Sequence, residues 1–187
     1  MKSLFVLKVH FYPDQCLRRK SLAVTKVGSA ERLLIKSMIA TMIHHKGIGL
    51  AAPQLGINQR FFVADIGQGP TAFFNPQILQ RQGSATLEEG CLSIPGVNIK
   101  IKRSGKIVVS YLDINNELQE QTFEGLMARV IQHENDHLDG KLILDYLNAQ
   151  EKSKIEKQLL QTTENRPQTR DQRPETTDYR PQTKDKR

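Results

Sequence analysis

Gln132-His133-Glu134-Asn135-Asp136-His137 carries His-Glu-x-x-His, a spacing that specifies a chemistry. Residues four apart on an α-helix return almost to one face, a turn of about 5.4 Å further along. His133 and His137 can therefore offer two imidazoles to one cation, with the Glu134 carboxylate beside them to take a proton from water. Two surface histidines on an amphipathic helix are the plain alternative.

A metal that does hydrolysis needs a third protein ligand and a fourth place left for water. The extension His-x-x-Gly-x-x-His fails, because Gly140 is in place but Ile143 stands where the last histidine belongs. Glu151 and Glu156 lie downstream, in a segment dense with Lys and Gln that reads as solvent-facing; a glutamate ligand from there would suit an endopeptidase. Cys91, within Glu88-Glu89-Gly90-Cys91-Leu92-Ser93-Ile94-Pro95-Gly96, is the third choice. A thiolate with two imidazoles leaves one tetrahedral place open. Spacing alone does not choose among these: 42 positions separate Cys91 from His133, and a lone cysteine is more often a small buried hydrophobe.

Gly47-Ile48-Gly49-Leu50-Ala51-Ala52-Pro53-Gln54 is a third segment of note. With the Cys91 segment and the His-Glu-x-x-His run it resembles the three-part signature of the peptide deformylase family, in the same order and spacing. The similarity extends through Tyr12-Pro13-Asp14 with Leu17-Arg18, and through Phe74-Asn75-Pro76, covering roughly residues 4 to 160. It implies a metal-dependent amidohydrolase that removes the formyl group from the N-terminal formylmethionine of nascent proteins and releases formate. It implies Fe(II) as the metal in the cell, replaceable by Zn, Ni or Co, on Cys91, His133 and His137. Glu134 would be the general base, with the Gln54 side-chain amide and the Leu92 backbone N–H as donors to the oxyanion. Ile48, Gly49 and Leu126 would contact the substrate, the glycine letting a peptide backbone come close. Glu89 is expected to orient a ligand or pin its loop. Family members often carry Arg at the third position after the motif's proline; here Asn98 stands there, leaving Lys100, Lys102 or Arg103 to substitute. A metal-stabilised binding module without turnover is the non-enzymatic rival. Such a site would need neither Glu134 nor Gln54.

The elements that must position these groups can be read from periodicity. A first helix is expected from Ser29, as N-cap, to His45. Leu34, Met38 and Met42 with Ile35, Ile39 and Ile43 form its buried stripe. His44, His45 and Lys46 sit at the negative end of the dipole, before Gly47 as the C′ residue. Strands are expected at 60–66, 72–75, 78–82, 86–87, 97–101, 107–113 and 118–123, with Asn115-Asn116 as a hairpin turn. The metal-binding helix should span 125–139, with Leu126, Val130, Ile131 and Leu138 as its apolar positions. The predicted fold is α+β, with antiparallel sheets packed around that central helix and one helix towards each terminus.

The last helix should begin at Asn148, where Glu151 completes a capping box. Ile155, Leu159 and Leu160 would dock, leaving Lys152, Lys154 and Lys157 outward. The resemblance implies that this basic helix can contact the ribosome. Beyond residue 160 three seven-residue units, 166–172, 173–179 and 180–186, each begin Arg-Pro. With prolines and no apolar seam, 161–187 is expected to be a disordered tail. Its seven basic and five acidic residues would allow weak RNA binding.

Residues 1–160 then form one catalytic domain, consistent with 187 residues of which 38% are hydrophobic. The charge of +7 comes from 27 basic and 20 acidic residues. Two cysteines, one on the metal, leave no disulfide framework and suit a reducing cytosol, with Cys16 as a packing residue or spare thiol. The apolar run near Met1 is too short for a signal peptide, and no stretch approaches membrane-spanning length. The expectation is a cytoplasmic monomer with no membrane partner.

Overall fold

The computed structural model describes residues 5–164, so the expected repeats at 166–186 lie outside the described residues. In chain order the elements are α1 (Ser29–His44), β1 (Gly49–Ala51), β2 (Phe61–Ala64), β3 (Thr71–Gln82), β4 (Ala85–Cys91), β5 (Ile94–Arg103), β6 (Lys106–Leu112), β7 (Leu118–Glu124), α2 (Gly125–Leu138) and α3 (Ala149–Glu164). The strands pair antiparallel throughout, as a five-stranded sheet of order β1-β2-β3-β6-β7 and a separate β4-β5 hairpin. This is the expected α+β arrangement, with α3 continuing through Glu164, past the boundary placed at residue 160.

β2 shows why the sheet holds its helices. All four of its residues are buried, because successive side chains point to opposite faces and both faces are covered. Phe61 and Val63 meet Ile35, Met38 and Met42 of α1. Phe62 and Ala64 meet Ala128, Val130 and Ile131 of α2. Each large apolar side chain so buried contributes about 1.5–3 kcal/mol. On its other side α2 is tied to the β4-β5 hairpin: Arg129 donates to the Ile101 carbonyl, and Gln132 exchanges hydrogen bonds with the backbone of Ser104. The helix is therefore clasped between sheet and hairpin. A third cluster joins Ile94, Ile99 and Ile101 to Leu17 and Leu142-Ile143-Leu144, and Ile155 and Leu159 of α3 pack against it.

Several boundaries differ from expectation. The N-cap of α1 is Gly28, whose N–H donates to Glu31 Oε2 at 2.8 Å, and not Ser29. At the other end Lys46, not Gly47, takes the left-handed turn, at φ 54°. Its N–H donates to the Ile43 carbonyl and that of Gly47 to the Met42 carbonyl, both at 2.9 Å, satisfying the last carbonyls of the helix. The strands expected at 72–75 and 78–82 are one strand, β3. Asn75, at φ 50°, and Pro76 break its register without ending it, and were read as a terminus. β4 runs as far as Cys91 itself, and β1, a strand of only three residues, was not anticipated. In α3 the capping box forms: Asn148 Oδ1 accepts from the Glu151 N–H, and Glu151 Oε2 from that of Asn148. Leu160 stays exposed, however, and Lys152 turns inward to Asp145 at 2.7 Å. Among the described residues no helix is long and apolar enough to cross a membrane.

Candidate active site

Cys91 ends β4, at a two-residue turn through Leu92 and Ser93 into β5. His133 and His137 lie one turn apart on α2, and the clasped helix brings them against that turn. One donor atom from each of the three residues lies within 4.8 Å of the others, and Cys91 Sγ is 3.3 Å from His137 Nε2. A tetrahedral cation about 2.3 Å from sulfur and 2.0–2.1 Å from nitrogen would hold such donors about 3.5 Å apart, so the set fits a divalent ion. Electrostatics agree. Burial, then the neighbouring His133, holds the His137 pKa well below the usual imidazole range. Burial also lowers the His133 pKa, but hydrogen bonds to Cys91 and Glu89 outweigh it and raise it. Two buried imidazoles against one sulfur cannot both carry protons, and a shared cation satisfies all three.

Glu89 fixes one ligand. His133 Nδ1 donates to its Oε2 at 2.9 Å, which leaves Nε2 for a metal. The same carboxylate accepts from Arg103 Nε and Nη2 at 2.7 and 2.9 Å, and from Arg129 Nη1 at 2.6 Å. Burial pushes the Glu89 pKa up, but the hydrogen bonds from His133 and Arg103 prevail and hold it at about 2. Arg103 also reaches Asp136 at 2.8 Å and the Tyr146 hydroxyl at 3.1 Å. Buried and fully engaged, it has no part left for the substrate role considered for it. Sequence reasoning missed Arg129, and missed Arg103 as an internal group. The signals were present: Arg129 is one turn before His133, and Arg103 continues the inward alternation of Ile99 and Ile101.

Glu134 is buried, with 4% of its surface exposed, and burial raises its pKa to about 7. Its Oε2 has no hydrogen-bonding partner among the described residues. The carboxylate lies over Gly49, where an added Cβ would come 2.8 Å from Glu134 Cδ. The missing side chain there makes room for Glu134. Gln54 is 2% exposed. Its Oε1 accepts from the Ala51 N–H at 2.8 Å, which turns Nε2 towards Ser93 Oγ at 3.2 Å and Cys91 Sγ at 3.8 Å. Ser93, fully buried, was not anticipated.

These groups open onto a cavity of about 420 Å³. Its lining includes Ile48, Gly49, Gln54, Leu92, Leu126 and Glu134, so the expected substrate contacts and catalytic groups share one space. Ile48 and Leu126, 44% and 51% exposed, present apolar surface at its mouth. β1 is the edge of its sheet. Because the Asp65 N–H donates to the Ile48 carbonyl, alternation leaves the Gly49 N–H and C=O on the unpaired side.

The other third-ligand candidates lie elsewhere: Glu151 caps α3 and Glu156 accepts from the Tyr12 hydroxyl at 2.8 Å. His10, Asp14 and Cys16 also converge, but their groups are already partnered. Asp14 accepts from His10 Nδ1 and from the Cys16 N–H, and Cys16 Sγ donates to the Pro53 carbonyl. Burial, then Asp14, pushes the Cys16 thiol up to about 11, which makes it a packing residue.

Comparison with known proteins gives a consistent result. Residues 6–153 match the family described as polypeptide deformylase. The peptide deformylase of Thermotoga neapolitana is 44% identical over 154 residues, spanning 82% of this chain and 94% of the relative. The crystal structure of the Thermotoga maritima peptide deformylase superposes with a TM-score of 0.75 at 45% identity, covering 76% of this chain and 98% of that one. The class I type b peptide deformylase of Acinetobacter baumannii, crystallised with Met-Ala-Ser bound, gives a TM-score of 0.73 at 29% identity, over 77% of this chain and 99% of that one.

Proposed function

The chain belongs to the peptide deformylase family, and we propose that the cavity beside Cys91 is where it removes the N-formyl group from nascent peptides. The family is one of metal-dependent hydrolases. Cys91, His133 and His137 hold the metal, which in the cell is Fe(II) and can be replaced by Zn, Ni or Co; one thiolate and two imidazoles suit these ions. When bound, the ion acts as a Lewis acid and lowers the pKa of water to near neutrality.

The protein's own groups do the rest. Glu134 accepts the proton of the attacking water and returns it to the departing amine. Its buried Oε2, which has no hydrogen-bonding partner among the described residues, is free to take that proton. As water adds to the formyl carbon, negative charge grows on the formyl oxygen, where the Gln54 Nε2 amide and the Leu92 N–H donate. The Ala51 N–H on Gln54 Oε1 fixes the amide with its N–H face forward. The C–N bond then breaks, giving formate and a free α-amine. The peptide lies as an added antiparallel strand against Gly49, with the methionine side chain between Ile48 and Leu126.

The observation that carries this reading is the convergence of the Cys91, His133 and His137 donors within 4.8 Å, with Glu134 and Gln54 on the same cavity. The protein acts as a cytoplasmic monomer on formylated chains as they emerge. Weak ribosome contact would run through the exposed Lys154 and Lys157 of α3, or through the 161–187 tail. The test is formate release from formyl-Met-Ala-Ser by protein purified without oxygen and loaded with Fe(II). One formate per new amine is expected, with the internal peptide bonds intact. Cleavage of those bonds without formate would overturn the reading.

A further inference from the structure

Two exposed charges line the mouth of the cavity, Lys46 on the side of α1 and Glu88 on the facing hairpin. Lys46 has its backbone fixed by the two hydrogen bonds that close α1. Among the described residues no carboxylate lies within ion-pair distance of it. Glu88 stands opposite Lys100 in the β4-β5 register, across the cavity from β1. Asn98, the next residue on that face of β5, is uncharged and stands opposite Gly90. Deeper in, the buried Arg129 is neutralised by Glu89. Of the two cationic side chains in the lining, Arg129 is in an ion pair and Lys46 is in none among the described residues.

Its position along the chain says which part of a ligand it meets. A peptide added antiparallel to β1 starts at Gly49, beside the metal ligands, and runs outward past Ile48 and Gly47. Residues following the first therefore pass Lys46. From this, and resting on the deformylase reading above, we infer that Lys46 gives the enzyme a preference for formylated peptides with a carboxylate side chain at the second or third residue, over peptides with a basic one there. A compact cation on a flexible stem can serve either position, since it needs no fixed geometry.

The experiment compares kcat/KM at low salt for formyl-Met-Ala-Ser, formyl-Met-Asp-Ser, formyl-Met-Ala-Asp and the two peptides with Lys in place of Asp. Two exposed unit charges a few ångströms apart support about a three- to sixfold advantage of Asp over Lys at the responsive position. That ratio should shrink as salt is raised. Lys46→Glu should invert it, whereas Lys26→Glu, the same charge change outside the cavity lining, should leave it as in the wild type. Equal rates on all charged peptides, or a preference for Asp that survives Lys46→Glu, would overturn the assignment. Formyl-Met-Ala-Ser keeps the two ideas apart. Turnover of it without charge discrimination removes only the role of Lys46, while no turnover on any peptide removes the deformylase reading and this inference together.

Discussion

Gly49 and Glu134 share one volume: the place a side chain on Gly49 would take is filled by the Glu134 carboxylate, which lies on it from the neighbouring helix. The backbone of Gly49 is not in the left-handed region, so alanine meets no conformational barrier there. Its penalty is the collision with Glu134, whose Oε1 is the nearest atom and whose Cδ and Cγ lie 2.8 and 2.9 Å from the added carbon. Gly49→Ala should therefore move the carboxylate by about 1 Å and lower kcat about 100-fold, with little change in metal content or thermal stability. Steady-state kinetics beside metal analysis checks this, and a full kcat in the alanine variant would sever the link between the two residues.

Glu134→Gln keeps the shape and removes the base. The site should still take up one metal per chain, because Glu134 is not among the converging donors. Turnover should fall by about 10²–10⁴. If kcat were unchanged, the proton would have to travel by another group.

Glu89 collects four hydrogen bonds from two buried arginines and His133. Glu89→Gln leaves two guanidinium groups facing one amide, whose own N–H₂ repels them, and breaking such a buried set costs about 3–5 kcal/mol. His133 also loses the partner that fixes its tautomer, so metal affinity should drop about 10- to 100-fold. Chelator competition reads the second effect and denaturant unfolding the first. Wild-type affinity in a destabilised protein would show that Glu89 braces the fold without orienting the ligand.

Much of this was legible in the chain. Four-residue spacing put His133 and His137 on one face, and apolar positions along α2 marked the helix as internal. The unread part was long-range. Nothing local to Glu89 states that Arg103, fourteen positions later, and Arg129, forty later, will both end on its carboxylate. Gly49 was ambiguous for the same reason, since only the folded chain shows which atom fills the space a glycine leaves. Pro76 misled in the opposite way: a strand-ending signal in isolation, it marks a bulge within β3, where the register with β6 shifts between Phe74 and Gln77.

Asp145 ties the C-terminal helix to the body, and its charge makes that tie sensitive to pH. It pairs with Arg18 of the N-terminal segment, accepts from Lys152 Nζ of α3 at 2.7 Å and caps the Leu142 N–H at 2.9 Å. Burial raises its pKa, but the Arg18, Lys152 and Leu142 hydrogen bonds outweigh it and bring the carboxyl from 3.8 to about 2. A carboxylate whose folded pKa lies below its unfolded one stabilises fully above the unfolded value and loses that contribution as pH falls through the folded one. Asp145→Asn should cost about 1–3 kcal/mol at neutral pH through the lost charged hydrogen bonds. The gap from wild type should be constant down to about pH 5 and close between about pH 4 and pH 2. Urea unfolding of both proteins across that range measures it. A gap that persisted undiminished at pH 2 would mean that Asp145 acts through shape and not through charge.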